Sequence, residues 1–316
     1  WGDKTQHGTQ HETLLIRLLV HRPATGLCVQ WRAIIGEPRP VQPGVLLGSE
    51  CGSGKLRPLK PSSSSLSVDF PFRAAHPMSH AVSRLRTQRL ARAIRPFVNR
   101  GSRAERCPGC RVIPAYCLCA WRPKVQAQSA MCLLMHDVEP MKPSNTGWLI
   151  ADVIDDTSAF AWSRTEVDPE LLTLLADPQW QPYIVFPGEF VTPERVVSEV
   201  RVGEGKRPLF ILLDGTWSEA RKMFRKSPYL EHLPVLSLAP EQLSRYKLRR
   251  SKRDDHFCTA EVAALCLELA DDCAASEVLD AYLDVFSTHY LAAKFQLPLD
   301  LTDIVHTRLA PYIPAV

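Results

Sequence analysis

From Pro208 to Leu213 every residue is apolar, and the run ends abruptly in Asp214-Gly215-Thr216-Trp217. A strand with no polar side chain on either face has to be covered on both faces. That places it inside a mainly parallel sheet with helices above and below. Two further segments read the same way, Ser129 to Met135 and Pro182 to Phe186. Helical spacing follows or precedes them over about Thr146–Ile154, Trp217–Lys226 (stopped at Pro228), Thr259–Cys273 and Glu277–Phe295. Apolar residues from Leu85 to Val98 also fall at helical spacing, with arginines opposite. No internal repeat is visible. The expected class is α/β with a mostly parallel sheet.

In such sheets ligands bind beyond the carboxyl ends of the strands, and three of those ends carry polar loops. The first is Asp214-Gly-Thr216-Trp217-Ser-Glu219. A carboxylate here either caps the helix and complements its dipole or meets a ligand. Thr216 and Glu219 already form a Thr-x-x-Glu capping box, which leaves Asp214 and Trp217 for another task. An aromatic beside a carboxylate suits a stacked base or a sulfonium cation. The second loop is His136-Asp-Val-Glu139-Pro-Met-Lys142-Pro-Ser144-Asn145-Thr146-Gly147, whose small polar residues and backbone N–H groups suit a carboxylate or phosphate. Taken alone, His136 reads as a satisfied polar residue rather than a base. The third and weakest is Pro187-Gly188-Glu189.

Ten cysteines are present, four of them within thirteen residues: Cys107-Pro-Gly-Cys110-x6-Cys117-Leu-Cys119. Four thiolates at this spacing suit tetrahedral zinc in a structural site with no open coordination position. An iron–sulfur cluster and unliganded thiols are the alternatives. A zinc deaminase would need His-x-Glu followed by Pro-Cys-x-x-Cys, and neither Cys-Pro-Gly-Cys nor His136-Asp-Val-Glu139 has that order.

The net charge of +4 says less than its distribution. Eight arginines lie between Arg84 and Arg106 against one acid, Glu105, and six basic residues with one tyrosine lie between Arg245 and Arg253. Each block alone is consistent with a solvated face; together they point to a phosphate-rich partner. No apolar run approaches the roughly 20 residues that span a bilayer, and no secretory signal opens the chain. The cytoplasm is the default compartment, and no obligate protein partner is called for. Residues 1–77 are rich in Pro and Ser and lack periodicity, which predicts either a disordered tail or an over-extended translation that is not part of the working protein, with Met78 as the working start.

The chain resembles the DTW-domain family. Asp214-Gly-Thr216-Trp217 fits the Asp-x-Thr-Trp signature, and the cysteine spacing and the Glu139-Pro-Met-Lys-Pro-Ser-Asn-Thr-Gly stretch are similar to the bacterial branch, over about residues 100–300. That resemblance implies a SPOUT-like knotted domain. It also implies transfer of the 3-amino-3-carboxypropyl group of S-adenosylmethionine (SAM) to N3 of a tRNA uridine, in bacterial members a variable-loop uridine. On this reading 78–125 is a basic helix with a small zinc module, and 126–316 is the SAM-binding domain. Asp214 is the candidate catalytic base. Thr216, Trp217, Ser144, Asn145, Thr146, Gly147, Pro187 and Gly188 are candidates for SAM and base contact, and the two basic blocks for tRNA phosphates. Trp148 departs from the pattern, standing where a basic residue is expected. The rivals are a SAM-dependent RNA methyltransferase and a non-enzymatic zinc-knuckle RNA-binding protein.

Overall fold

The computed structural model describes residues 80–94, 97, 104–238 and 257–314. The expectation for residues 1–77 and the basic block 245–253 therefore lie outside the described residues, as do Arg95, Arg100 and Arg103 of the first block.

Six strands form one parallel sheet: β1 (Ala130–Met135), β2 (Thr157–Ala161), β3 (Trp180–Val185), β4 (Val196–Val197), β5 (Arg207–Asp214) and β6 (Val235–Leu236). Their spatial order is β2-β1-β5-β3-β6-β4, and every pairing is parallel. The apolar run Pro208–Leu213 thus lies in an inner strand, with Ala130–Met135 in register with Leu209–Asp214 on one side and Trp180–Val185 with Arg207–Leu212 on the other.

Side-chain alternation divides the core in two. Met131, Leu133, Met135, Tyr183, Phe210 and Leu212 face a layer containing α1 (Ala81–Ala91), α2 (Gly147–Val153), α5 (Thr259–Leu269) and α6 (Cys273–Phe295). Cys132, Leu134, Ile184, Leu209 and Ile211 face the opposite layer, where α3 (Pro169–Ala176) and α4 (Trp217–Arg225) bring Leu171, Ala220 and Met223. A final short helix, α7 (Ile304–Leu309), leans on α6 through Arg308, which pairs with Asp280 and Asp284. Cys107, Cys110, Val112 and Leu118 belong to the first core, so the cysteine segment packs onto the sheet's helical layer.

Three boundaries differ from expectation. α1 occupies Ala81–Ala91, not 85–98, because His80 caps it: its Nδ1 accepts from the Ser83 amide at 3.2 Å. The helix expected over 259–273 ends at Leu269, where Asp271 takes a left-handed φ of 59°, and α6 then starts at Cys273. Strand β2 and helix α3 were not anticipated; α3 has an Asp168 cap, with the carboxylate accepting from the Glu170 amide, and a proline at its first position.

Candidate functional site

Because the strands are parallel, the segments that follow them all emerge at one edge. Asp214, the last residue of β5, sits there fully buried. One carboxylate oxygen accepts from the Thr259 hydroxyl at 2.7 Å, and the other from the Asn145 side-chain amide at 2.6 Å. The same amide also donates to Glu139 at 3.2 Å, and Lys142 neutralises Glu139. Asn145 thus spends both N–H groups on carboxylates, which fixes the orientation of its amide, because a flipped amide would turn its oxygen toward two anions. Its Oδ1 is buried with no hydrogen-bond partner among the described residues. A buried acceptor left without a donor is uncommon and marks a place for a ligand group.

Gly147 makes this close approach feasible. A Cβ there would lie 3.0 Å from the Asp214 carboxylate and 3.2 Å from Asn145 Oδ1, so a side chain would push the loop off β5. Thr146 is fully buried, and its hydroxyl accepts from the Ala260 amide in the first turn of α5 at 3.3 Å. Ser144 is half-buried on the same loop. Asp214, Asn145, Thr146 and Gly147 therefore form one cluster. Glu139 and Thr259 complete it, and neither was among the residues expected from sequence. Glu139 had a local signal in its Glu-Pro-Met-Lys context; Thr259 had none, being 45 residues from its partner.

Thr216, Trp217, Pro187 and Gly188 form a neighbouring group. The Thr216 hydroxyl is used in the capping box, 2.6 Å from the Glu219 carboxylate. Burial raises the Glu219 pKa, but hydrogen bonds from the Thr216 hydroxyl and amide outweigh it and leave the carboxyl below its usual range. Its other oxygen is 3.1 Å from His136 Nδ1. Trp217 stacks on Phe186 (5.5 Å between centroids, 15° between planes) and tilts against Phe190. The Gly188 amide donates to the Ser237 hydroxyl at 3.0 Å, and a Cβ at Gly188 would meet that oxygen at 3.0 Å. An aromatic wall thus stands at the same carboxyl edge of the sheet, packed with the core layer opposite that of α2 and α5. A recess of about 350 Å³ lies at the opposite, amino edge, lined by Gln128, Asp156 and Arg207 among others; Arg207 is already held there by Asp156.

The four expected metal ligands come together. The Sγ atoms of Cys107, Cys110, Cys117 and Cys119 all lie within 4.8 Å of one another, with close pairs at 3.6–3.7 Å. Tetrahedral zinc with bonds of about 2.3 Å requires sulfur separations of roughly 3.8 Å, so the set fits. Thiols this close cannot all ionise on their own. Hydrogen bonds from neighbouring thiols drive Cys110 and Cys117 down, while Cys107 and Cys119 are driven up, each chiefly by its contact with Cys110. A cation between them resolves that conflict.

The cysteine turn also reaches the ligand loop. Arg111, at a left-handed φ of 64°, donates to the carbonyls of Lys142 and Asn145, each at 3.0 Å. Its guanidinium lies 4.1 Å from the centre of the Trp148 ring, and Trp148 Nε1 donates to the Gly109 carbonyl at 3.2 Å. Trp148 is buried, so the position where a basic residue was expected serves as the floor on which Arg111 rests.

A family model described as the DTW domain matches residues 104–291. A protein of Drosophila melanogaster named tRNA-uridine aminocarboxypropyltransferase 2 is 25% identical over 179 residues, 54% of this chain and 68% of its own. A protein of the same name from Macaca fascicularis is 26% identical over 181 residues, 55% and 59% of the two chains, and one from Mus musculus matches to the same extent. The chain thus spans roughly three fifths to two thirds of the length of these relatives. No solved structure matches.

Proposed function

Because the chain belongs to the DTW domain family, we propose that it transfers the 3-amino-3-carboxypropyl group of SAM to N3 of a uridine in tRNA, with a variable-loop uridine as the expected acceptor. The new bond joins N3 to the γ-carbon, the C–S⁺ bond breaks, and neutral methylthioadenosine leaves. N3 gives up its proton. The observation that carries this reading is the buried Asp214–Asn145 pair in the family's signature segments, at the strand edge that also carries the aromatic wall, in a chain whose relatives bear the transferase name.

The sulfonium already activates the carbon, so the protein's main work is placement. Asn145 Oδ1 supplies an acceptor for a ligand N–H, and the loop Ser144–Gly147 holds the ligand's polar groups. Trp217, backed by Phe186, offers a face to a base or to the sulfonium, and Pro187–Gly188 closes that side. Asp214 accepts or steers the N3 proton. Zinc at Cys107, Cys110, Cys117 and Cys119 supplies a structural tie with no open position. The working parts are a basic helix and zinc module over 78–125 and a SAM-binding domain over 126–316, with a SPOUT-like knot, in the cytoplasm. No helix among the described residues is long and apolar enough to cross a membrane.

The test uses two SAM preparations, one labelled in the methyl group and one in the carboxyl. With tRNA and this protein, carboxyl label is expected in the RNA and methylthioadenosine in solution. Methyl label in the RNA, with S-adenosylhomocysteine released, would establish a methyltransferase instead; label in neither would leave a binding protein.

A further inference from the structure

Helix α4 starts at the site, and its outer face is strongly basic. Arg221, Lys222, Arg225 and Lys226 are all exposed, while Ala220 and Met223 are buried against the sheet. None of the four basic residues has an ion pair among the described residues. Like charges at i and i+4, here 221 with 225 and 222 with 226, repel on an isolated helix. Lys222, Arg225 and Lys226 recover part of that cost at the carboxyl end of the helix dipole; Arg221, a turn earlier, recovers little. The helix's own acid, Glu219, is turned toward Thr216 and His136.

Two of these cations rest on aromatic rings from other strand ends. Arg221 lies 4.7 Å from the centre of Phe190, after β3, and Lys222 lies 5.7 Å from that of Trp162, after β2. Phe190 is 37% exposed and touches Trp217, and Trp162 stacks on His136, which follows β1. The basic and aromatic groups are thus interleaved and continuous with the edge that carries Asp214. Neither of the arginine-rich segments singled out in the sequence includes this surface.

We infer that α4, with Phe190 and Trp162, is a docking surface for the single-stranded part of the RNA substrate, its cations holding phosphates and its rings stacking bases next to the target uridine. Single-stranded RNA is recognised by this pairing of basic tracks with aromatic or guanidinium planes. The inference rests on the transferase reading above, since it assumes that the acceptor is RNA.

The experiment measures binding of unlabelled SAM and of tRNA separately, the latter over a series of salt concentrations. The variant carries Arg221→Gln, Lys222→Gln, Arg225→Gln and Lys226→Gln together, and glutamine keeps the helix propensity. Its tRNA affinity is expected to fall about 10-fold or more at moderate salt. The slope of log affinity against log salt should shrink by roughly 2 to 3, about 0.7 unit for each single-strand phosphate that is no longer neutralised. SAM affinity and helical content should match wild type. A second variant, Arg221→Lys with Arg225→Lys, keeps the charge and should retain most of the slope. Equal tRNA affinity and equal slope in the glutamine variant and wild type overturns the surface while leaving the transferase reading intact. Wild-type protein that binds no tRNA at all overturns both.

Discussion

At position 214 a carboxylate withdrawn from water meets a side-chain donor on each oxygen, from segments 69 residues before it and 45 after it. Asn at this position can keep both bonds, its amide N–H donating to the Thr259 hydroxyl, which rotates to accept, and its oxygen accepting from Asn145; what it loses is the negative charge that can take up a proton. Asp214→Asn is therefore expected to lower turnover about 100-fold or more, the usual range for a lost proton acceptor. Single-turnover transfer of carboxyl label is the measurement, and a wild-type rate would reduce Asp214 to a structural role. The Asp-Gly-Thr-Trp segment was legible because an apolar strand that stops at a carboxylate is locally unusual. The bond to Thr259 was not, since it exists only once α5 has been brought back to β5. Glu139 lay in view, but its meaning depends on Asn145 reaching two carboxylates at once, a three-body geometry that spacing does not encode.

Among the elements, the strands that could be read from sequence are those buried on both faces. β1 and β5 show near-continuous burial, and so did their sequences. β2 pairs along one edge only and is partly exposed, so Thr157-Ser-Ala-Phe-Ala161 lacks the apolar signature. β4 and β6 are two residues each, too short for any period. The break between α5 and α6 carries neither Gly nor Pro; it depends on Asp271 in a left-handed turn, and on Asp272, whose carboxylate accepts from the amides of Gln128 and Ser129 just before β1. The cysteine turn, legible as a metal site, was not legible as a brace for α2. Arg111 makes it one, and lysine cannot reproduce its two-carbonyl fork with ring stacking. Arg111→Lys is expected to weaken SAM binding about 10-fold, roughly the worth of one charge-assisted hydrogen bond to the ligand loop, with zinc content unchanged. Calorimetric titration with SAM and metal analysis check this pair of outcomes, and unchanged SAM affinity would show that the brace is idle.

For the whole molecule, stability is linked to a charged cluster beneath α1. Asp152 is buried with Arg122 at 3.0 Å, Tyr282 at 3.0 Å and His80 at 3.5 Å. Burial, reinforced by Arg111, Arg122 and Arg84, pulls His80 down from 6.5 to about 3, so the folded protein keeps it neutral. Its contribution to stability is fully present above pH 6.5 and is lost as pH falls toward 3. Asp152 has the opposite sign: burial exceeds the pull of Arg122 and pushes its carboxyl up to about 6, a contribution present below 3.8 and lost as pH rises through 6. The two offset each other between about pH 4 and 6. His80→Asn, which preserves a capping side chain, should remove the first and leave the second, changing the slope of unfolding free energy against pH by about 1.4 kcal/mol per pH unit in that window. Denaturant unfolding at several pH values measures it; parallel slopes for the two proteins would refute the linkage.

The strand order also has a consequence in time. The chain leaves the ribosome in the order β1, β2, β3, yet β3 touches neither of the first two in the finished sheet, since β5 separates them. Until residues 207–214 have been synthesised, the edge of β1 that β5 covers stays open, and β3 has no neighbour to bond. Both open edges are templates for the wrong partner. During that interval of translation the segment that later carries the family signature acts as a missing keystone, and its arrival covers β1 and one edge of β3 in a single event, the other edge of β3 waiting for β6.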